Sequence, residues 1–315
     1  MNRNRTILVI AAALAAAALP SCVRTENHGS AIAFSPVASK ATKAIISGAT
    51  YPEGESFAVS AYYNGSSAYF QNLVATKGTT YWETASAEYW PLSGTLEFLA
   101  YSPSSASHIN ITSSGISATD YTIQSAEAMQ TDLCFAGATV ANCASHPESV
   151  PLTFSHALSQ VVIRAKAADY YTTDSNTVSL ALTSLSLSGI YSVADFSAGS
   201  WSNWESEHSY TISSTSTALT YNEQNQQPET VELGSYLLLP QTLSANAALS
   251  LSYSITQSNL GTLTNPVVLN LGNAITEWLP GKKYIITLTV GMNDFITFTA
   301  SAHDWAEENG GFVVE

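Results

Sequence analysis

The cysteines carry the clearest chemical signal in this sequence, and the first of them, Cys22, directly follows an apolar segment. Arg3 and Arg5 precede an apolar run over residues 7–19, which is the layout of an export signal and is too short to span a bilayer. The string LPSC at residues 19–22 matches a lipobox, in which the signal is cut before the cysteine and the thiol is diacylated. We predict a lipoprotein signal peptide over residues 1–21 and lipidation at Cys22. The alternative is an ordinary secretory signal with a cysteine there by chance.

Lipidation would place the rest of the chain outside the cytoplasm, tethered by its acyl groups. Removing residues 1–21 leaves 294 residues (315 − 21) and takes away two arginines but no acidic residue, so the net charge becomes 8 − 24 = −16. Because such a chain repels phosphate groups, nucleic acid is excluded as a partner.

The other two cysteines, Cys134 and Cys143, are close together in sequence. In an exported protein such a pair can form a disulfide, and free cysteines are also commonly buried as small apolar residues, so both alternatives stay open. A metal site is not predicted, because His146 is the only imidazole near these cysteines and no second pair of ligands is present.

Catalytic motifs are missing from the sequence. The six histidines are scattered, no pair has the i, i+4 spacing of a zinc-binding helix, and no G-x-S-x-G turn occurs. Asp120, Asp132 and Asp195 could be imagined as a glycosidase pair, but loop and capping roles explain them better. His156 interrupts an apolar strand and is predicted to be a hydrogen-bonded packing residue. We predict neither an enzyme nor a cofactor.

Aromatic residues at Trp201, Trp204 and Tyr210 could form a platform for stacking sugars. Two tryptophans beside a turn more often cover the edge of a sheet, and we favour that interpretation.

The elements that would position these residues have the period of two that is typical of β-strands. Phe57, Val59 and Ala61 alternate with smaller residues, and Val161 and Ile163 recur in the same way; further segments of this kind are TLEFLAYSP (95–103), LSLSYSI (249–255) and IITLTV (285–290). Turn residues separate these segments, as at Asn64-Gly65. The pattern predicts an all-β protein made of β-sandwiches.

Domain organisation follows from the break at SHPESVP (145–151), after which a new strand pattern begins. Residues 22–40 are predicted to be a spacer containing a possible first strand at AIAF (31–34). Residues 41–150 and 151–315 are predicted to form an N-terminal and a C-terminal sandwich, the second ending in a short tail.

Several strings in fixed order resemble the fimbrillin-like lipoprotein pilins. They are YWPLSGTLEFLAYSP (89–103), QTDLCFA (130–136), VPLTFSHALSQVVIRAKA (150–167), LTSLSLSGIYSVADF with GSW (182–201), WLPGKKYIITLTV (278–290) and ITFTASAHDW (296–305). The resemblance covers the chain from about Ile32 onward. It implies two transthyretin-like Greek-key β-sandwich domains in tandem, export as an outer-membrane lipoprotein, and assembly with other subunits into a cell-surface fimbria.

In that family, as the resemblance implies, a trypsin-like protease cuts after a basic residue near the first strand, and a strand of the next subunit fills the opened groove. The physical principle is β-augmentation, in which a partner strand completes an open sheet. Basic residues are concentrated near this start, at Arg24, Lys40 and Lys43, whereas none lies between Lys77 and Arg164. We predict processing after Lys40 or Lys43, with Arg24 as a further candidate.

The segment GFVVE at the C-terminus is a candidate donor strand through Phe312, Val313 and Val314, or else a terminal strand paired within its own chain. It is short for a donor, which favours a tip, anchor or accessory subunit over a stalk subunit. The competing hypothesis is a surface lipoprotein that never polymerises and binds glycans or proteins through its loops.

Overall fold

The computed structural model describes residues 29–38, 51–171, 177–292, 296–305 and 312–314. Within these ranges the chain consists of β-strands and three short 3-10 helices, η1 (Glu127–Met129), η2 (Cys143–Ser145) and η3 (Leu271–Asn273). No helix in the described ranges is long and apolar enough to cross a membrane. The predicted all-β class is confirmed.

The first nine strands occupy the N-terminal half of the chain. They are β1 (Phe34–Ala38), β2 (Phe57–Tyr63), β3 (Ser67–Lys77), β4 (Trp82–Thr84), β5 (Leu96–Ser102), β6 (Ile109–Thr112), β7 (Gly115–Thr122), β8 (Cys134–Val140) and β9 (Val150–His156). Seven of them form one sheet that closes on itself as a barrel, in the order β1-β4-β3-β2-β5-β8-β9.

The interior of the barrel is rich in aromatic side chains. Phe57, Phe98 and Phe154 are almost completely buried there, together with Tyr51. Neighbouring rings meet edge to face or tilted, as for Phe57 and Phe154, whose centroids are 5.3 Å apart. Such contacts stabilise the core beyond the burial of apolar area alone.

Strand β2 is buried on both faces, whereas its sequence pattern predicted one buried face and one solvent-exposed face. Its inward residues line the barrel, and its outward residues Ala58 and Tyr62 pack with Tyr101 and Ile111 in a second cluster. The reason is that the hairpin of β6 and β7 lies over this side of the barrel.

The remaining strands build two more sheets and a short ribbon. These strands are β10 (Ser159–Ala167), β11 (Val178–Ser197), β12 (Ser200–Ser213), β13 (Thr217–Leu219), β14 (Val231–Leu238), β15 (Gln241–Thr242), β16 (Ala248–Gln257), β17 (Gly261–Asn270), β18 (Glu277–Trp278), β19 (Lys282–Val290), β20 (Ile296–Asp304) and β21 (Phe312–Val314). One sheet has the order β14-β10-β19-β20-β21, and the other runs β17-β16-β11-β7-β6 with β12 and β13 paired to β11. Strands β15 and β18 pair with each other.

The largest apolar cluster joins these two sheets. Val161, Ile163 and Ala165 are buried there as their alternation predicted, opposite residues such as Leu187 and Leu249. Strand β9, which begins at Val150, belongs to the barrel. Strands β6 and β7 lie in the N-terminal half of the chain but belong to the second sheet. The predicted domain boundary between residues 150 and 151 concerns independent folding units and stays a prediction.

Candidate functional site: the slot of the first strand

Strand β1 closes the barrel, and it does so from the N-terminal end of the described chain. It runs parallel to β9, with Phe34 opposite Val150 and Ala38 opposite Phe154, and meets β4 at one antiparallel position, Phe34 with Trp82. A strand at one end of the chain can leave a sheet without any other strand having to leave with it. Removing β1 would therefore open a slot between β4 and β9.

The side chains of this segment alternate between the barrel core and the outside. Ile32 and Phe34 are 2% and 0% exposed, whereas Val37 is 40% exposed. The Phe34 ring meets Phe57 and Phe98 edge to face, with centroids 5.8 and 5.7 Å away. Phe34 thus fills the middle of the aromatic core.

Backbone hydrogen bonds fix the segment before β1. The amide of Ile32 donates to the carbonyl of Glu88 at 2.6 Å, and the amide of Trp90 donates to the carbonyl of Ser30 at 3.3 Å. On the other side, the amide of Val150 donates to the carbonyl of Ala33 at 2.8 Å. The segment is held by both neighbours, and a vacated slot would present unpaired backbone groups on both walls.

The predicted processing and lipidation residues lie outside the described residues. These are Cys22, Arg24, Lys40 and Lys43. Their positions in the sequence are nevertheless informative, because Lys40 is only two residues beyond the end of β1 at Ala38. A cut after Lys40 or Lys43 would sever β1 from the rest of the barrel, leaving it held by non-covalent contacts alone.

The C-terminal tail forms strand β21, which pairs antiparallel with β20. Phe312 lies opposite Ala302, and Val314 lies opposite Ala300. Of the two alternatives for Phe312, Val313 and Val314, the structure shows pairing within the chain. Their role as a donor strand stays a prediction.

The two described cysteines are free thiols, so the disulfide alternative is not what the structure has. Cys134 begins β8 and Cys143 follows its end, and an extended strand of seven residues is about 20 Å long, far beyond the reach of a disulfide. Both thiols are buried, and burial raises the pKa of each. They match the alternative of two buried cysteines.

The aspartates considered for catalysis lie in two places, Asp120 beside Asp195 and Asp132 beside His156. Asp195 accepts hydrogen bonds from the Asn203 side chain at 2.8 Å and the Asp120 amide at 2.9 Å, and these bonds lower the pKa of Asp195. Asp132 is instead buried beside His156, with 2.8 Å between Oδ2 of Asp132 and Nδ1 of His156. The carboxylates of Asp195 and Asp132 therefore each have a local structural partner.

The aromatic residues considered for sugar stacking are only partly accessible. Trp201 is 7% exposed and donates from its indole nitrogen to the carbonyl of Ala157 at 2.7 Å. Tyr210 is fully buried, and Trp204 is 40% exposed with its indole bound to the carbonyl of Pro240. The group packs against the protein, as favoured from the sequence.

One cluster was not expected from the sequence, namely Asp132, Cys134 and His156. The antiparallel pairing of β8 with β9 places Cys134 opposite His156, although 22 residues separate them in sequence. Trp305 stacks on the imidazole of His156, with ring centroids 4.1 Å apart. Only the pairing of the two strands could have indicated this cluster.

A comparison with protein families matches residues 42–305 to the family described as fimbrillin-like. This match spans most of the sequence. The chain belongs to the fimbrillin-like family. A search of curated proteins finds no match to it.

Several solved structures similar to this fimbrillin-like chain come from Bacteroides species. A fimbrial protein of Bacteroides vulgatus has 19% identity and a TM-score of 0.54, and the alignment covers 79% of this chain and 92% of that one. Candidate cell adhesion proteins of Bacteroides uniformis and Bacteroides ovatus each have 16% identity, with TM-scores of 0.52 and 0.53. The alignments cover 87% and 90% of this chain and 98% and 100% of theirs. At these identities the similarity establishes the fold alone.

The family match begins after β1 ends and stops before β21. The matched body therefore contains both walls of the slot, β4 and β9, but not the strand that fills it.

Proposed function

We propose that this fimbrillin-like chain is a structural or adhesive subunit of a cell-surface fimbria. In this proposal it is exported, lipidated at Cys22 and held in the outer membrane until β1 is removed and the slot accepts a strand of another subunit. The barrel and the pair of sheets would be the two transthyretin-like Greek-key units, meeting near residue 150. The observation that carries the proposal is that a terminal strand closes the barrel.

Energetics support exchange rather than simple loss of β1. Fully burying an apolar side chain contributes about 1.5–3 kcal/mol, so Ile32 and Phe34 together account for about 3–6 kcal/mol. A whole domain is stable by only about 5–15 kcal/mol. An empty slot would therefore be costly, and binding a strand from another subunit would recover much of the lost stability.

The geometry of the slot defines what such a donor must look like. The donor needs about seven extended residues, roughly 23 Å, to cover positions 32–38, with large apolar side chains two residues apart in place of Ile32 and Phe34. Head-to-tail exchange of this kind does not close on itself and produces filaments.

The length of the C-terminal tail indicates which position the subunit would take in the fimbria. Strand β21 has three residues and β1 has five, so the tail is short for the slot of a second copy. We propose a tip, anchor or accessory position, where a subunit accepts or donates on one side only.

Surface material run on a gel without boiling tests the proposal. We expect a ladder of high-mass species that collapses on boiling, and a chain in those species that begins after Lys40 or Lys43. A chain that begins at Cys22 in assembled material would refute processing, and a single monomer band would refute polymerisation.

The second candidate is a surface lipoprotein that stays monomeric and binds glycans or proteins through its loops. The observation favouring it is that the first and last described strands are already paired within the chain, β1 in the barrel and β21 on β20. Intact residues 22–38 in all surface material, together with a monomer band, would support this candidate over the fimbrial one.

A further inference from the structure

The cluster of Asp132, Cys134 and His156 brings three metal-binding side chains together in the interior. Their ligand atoms all lie within 4.8 Å of one another. Nδ1 of His156 is 3.4 Å from Sγ of Cys134, 3.0 Å from Oδ1 of Asp132 and 2.8 Å from its Oδ2. His156 lies in β9, two residues beyond the last position that pairs with β1. The inference below does not depend on fimbrial assembly.

These three groups are buried with incomplete hydrogen bonding. Asp132, Cys134 and His156 are 2%, 0% and 5% exposed. Within the described residues, Oδ2 of Asp132 faces the cluster without an aligned hydrogen-bond partner. Nε2 of His156 also has none, but it points away from the cluster, which Nδ1 of the same ring faces. Buried polar groups in this condition are costly unless a further partner is present.

In the part of the chain that the structure describes, His156 is the only group that forms an ion pair with Asp132. Lys282 lines the same cleft as His156, but its ammonium group is bonded to Asp304. Once metal binding has displaced the Cys134 proton, the carboxylate and the thiolate together carry two negative charges, which the divalent cation neutralises. A buried charged group of this kind requires a partner or a metal ion.

The donor set matches zinc more closely than other common ions. Zinc takes sulfur from cysteine, nitrogen from histidine and oxygen from aspartate, whereas calcium and magnesium take oxygen only. In a tetrahedral site with ligands at about 2.0–2.3 Å, neighbouring ligand atoms are about 3.3–3.8 Å apart. The separation of Nδ1 from Sγ already falls in this range, and that of Nδ1 from the carboxylate needs to widen by only about 0.5 Å.

We propose that Asp132, Cys134 and His156 form a binding site for a divalent transition-metal ion, with zinc as the best fit. Binding displaces the proton of the Cys134 thiol, and the metal takes Nδ1 of a neutral His156 that keeps its proton on Nε2, so that one proton leaves as one dication enters. The fourth position is left to a water molecule from the cleft of about 510 Å³ that His156 lines.

The position of the site gives it a structural role. Asp132 and Cys134 lie at the start of β8 and His156 at the end of β9, both in the barrel. Trp305, which stacks on His156, follows the end of β20, in the sheet of the C-terminal half. A metal ion at this point would strengthen the junction between the barrel and that sheet.

Cobalt titration of the purified chain without its signal peptide tests this proposal. We expect one equivalent of Co²⁺ to bind with the near-ultraviolet absorption of a thiolate ligand, and one equivalent of Zn²⁺ to displace it. Cys134→Ser should remove this absorption and weaken binding more than about 100-fold, since even groups that only support a ligand contribute about 10–100-fold. Cys143→Ser is the matched control, because it removes a buried thiol at the far end of β8 and should leave the titration unchanged.

Thermal unfolding with and without Zn²⁺ provides a second measurement that does not need cobalt. The midpoint should rise with Zn²⁺ in the unmodified chain and in Cys143→Ser, but not in Cys134→Ser or Asp132→Asn. If the unmodified chain binds neither ion at one equivalent, the proposal is wrong, whatever the variants do. Equal cobalt absorption in Cys134→Ser would likewise overturn it, because the thiolate would then come from elsewhere.

Discussion

Replacing Phe34 by alanine tests whether β1 is part of the barrel core. The ring is 0% exposed and meets Phe57 and Phe98 edge to face, so its removal leaves a cavity that the surrounding rings cannot fully close. Buried Phe→Ala changes cost about 3–5 kcal/mol. We expect the free energy of opening the barrel to fall by that amount.

Hydrogen–deuterium exchange resolves this effect within the barrel. Peptides from β5 and β9 should exchange about 10² to 10⁴ times faster in Phe34→Ala, since each 1.4 kcal/mol is a factor of 10 in the opening equilibrium. Peptides from β16, in the other part of the fold, should change much less.

The matched control is Val37→Ala, in the same strand but on its outer face. Val37 is 40% exposed, and truncation of such a residue typically changes stability by less than about 1 kcal/mol. If both variants accelerate exchange equally, or if neither does, the alternation of β1 between core and surface is wrong.

Three further outcomes are expected. Cys22→Ser should abolish incorporation of labelled palmitate and release the protein from the membrane fraction; retention of the label would exclude Cys22 as the acylated residue. The double variant Lys40→Ala with Lys43→Ala should keep its N-terminal segment and form no high-mass ladder, whereas Lys166→Ala should behave as the unmodified protein does; a normal ladder in the double variant would place processing elsewhere. The thiols of Cys134 and Cys143 should not react with Ellman's reagent at pH 8 in the folded protein, because both are buried and their pKa values are raised, and both should react in denaturant. Immediate reaction of the folded protein would contradict the described packing.

The strands could be predicted from the sequence because alternation marks a strand with one buried face. In β19 the alternating residues Ile286, Leu288 and Val290 are buried and the residues between them are only half-buried, as expected. In β2 the pattern failed, because the residues between the large ones, such as Ala58, also face a neighbour. Alternation of large apolar and small or polar residues indicates a strand with one buried face. It cannot show that the second face is buried too, as in β2.

The first strand was expected at residues 31–34, but it begins at Phe34 and continues through Pro36 to Ala38. Proline has no amide hydrogen, so it cannot donate a backbone hydrogen bond and is rarely found in a strand with neighbours on both sides. The structure accommodates it because β4 pairs with β1 only at Phe34, so that beyond this position β1 has β9 alone as a neighbour.

The cluster at His156 could not be predicted, because its members come from two strands whose register is a property of the folded sheet. The sequence placed His146 nearest to the cysteines, yet His146 stacks on Trp90 and bonds to Ser30 instead. Nearness along the chain was therefore a poor guide to nearness in space.

The most direct test of the assembly account is whether the slot accepts a strand from outside. A site for a sequence-specific protease is inserted after Lys40 in the chain without its signal peptide, and the purified protein is cut and mixed with an excess of a labelled peptide of residues 29–40. We predict that the cut protein takes up about one labelled peptide per chain, that the uncut protein takes up none, and that a peptide with Phe34→Ala competes poorly. If the cut protein takes up no peptide, or if the uncut protein takes up as much, β1 is not an exchangeable strand and the account fails.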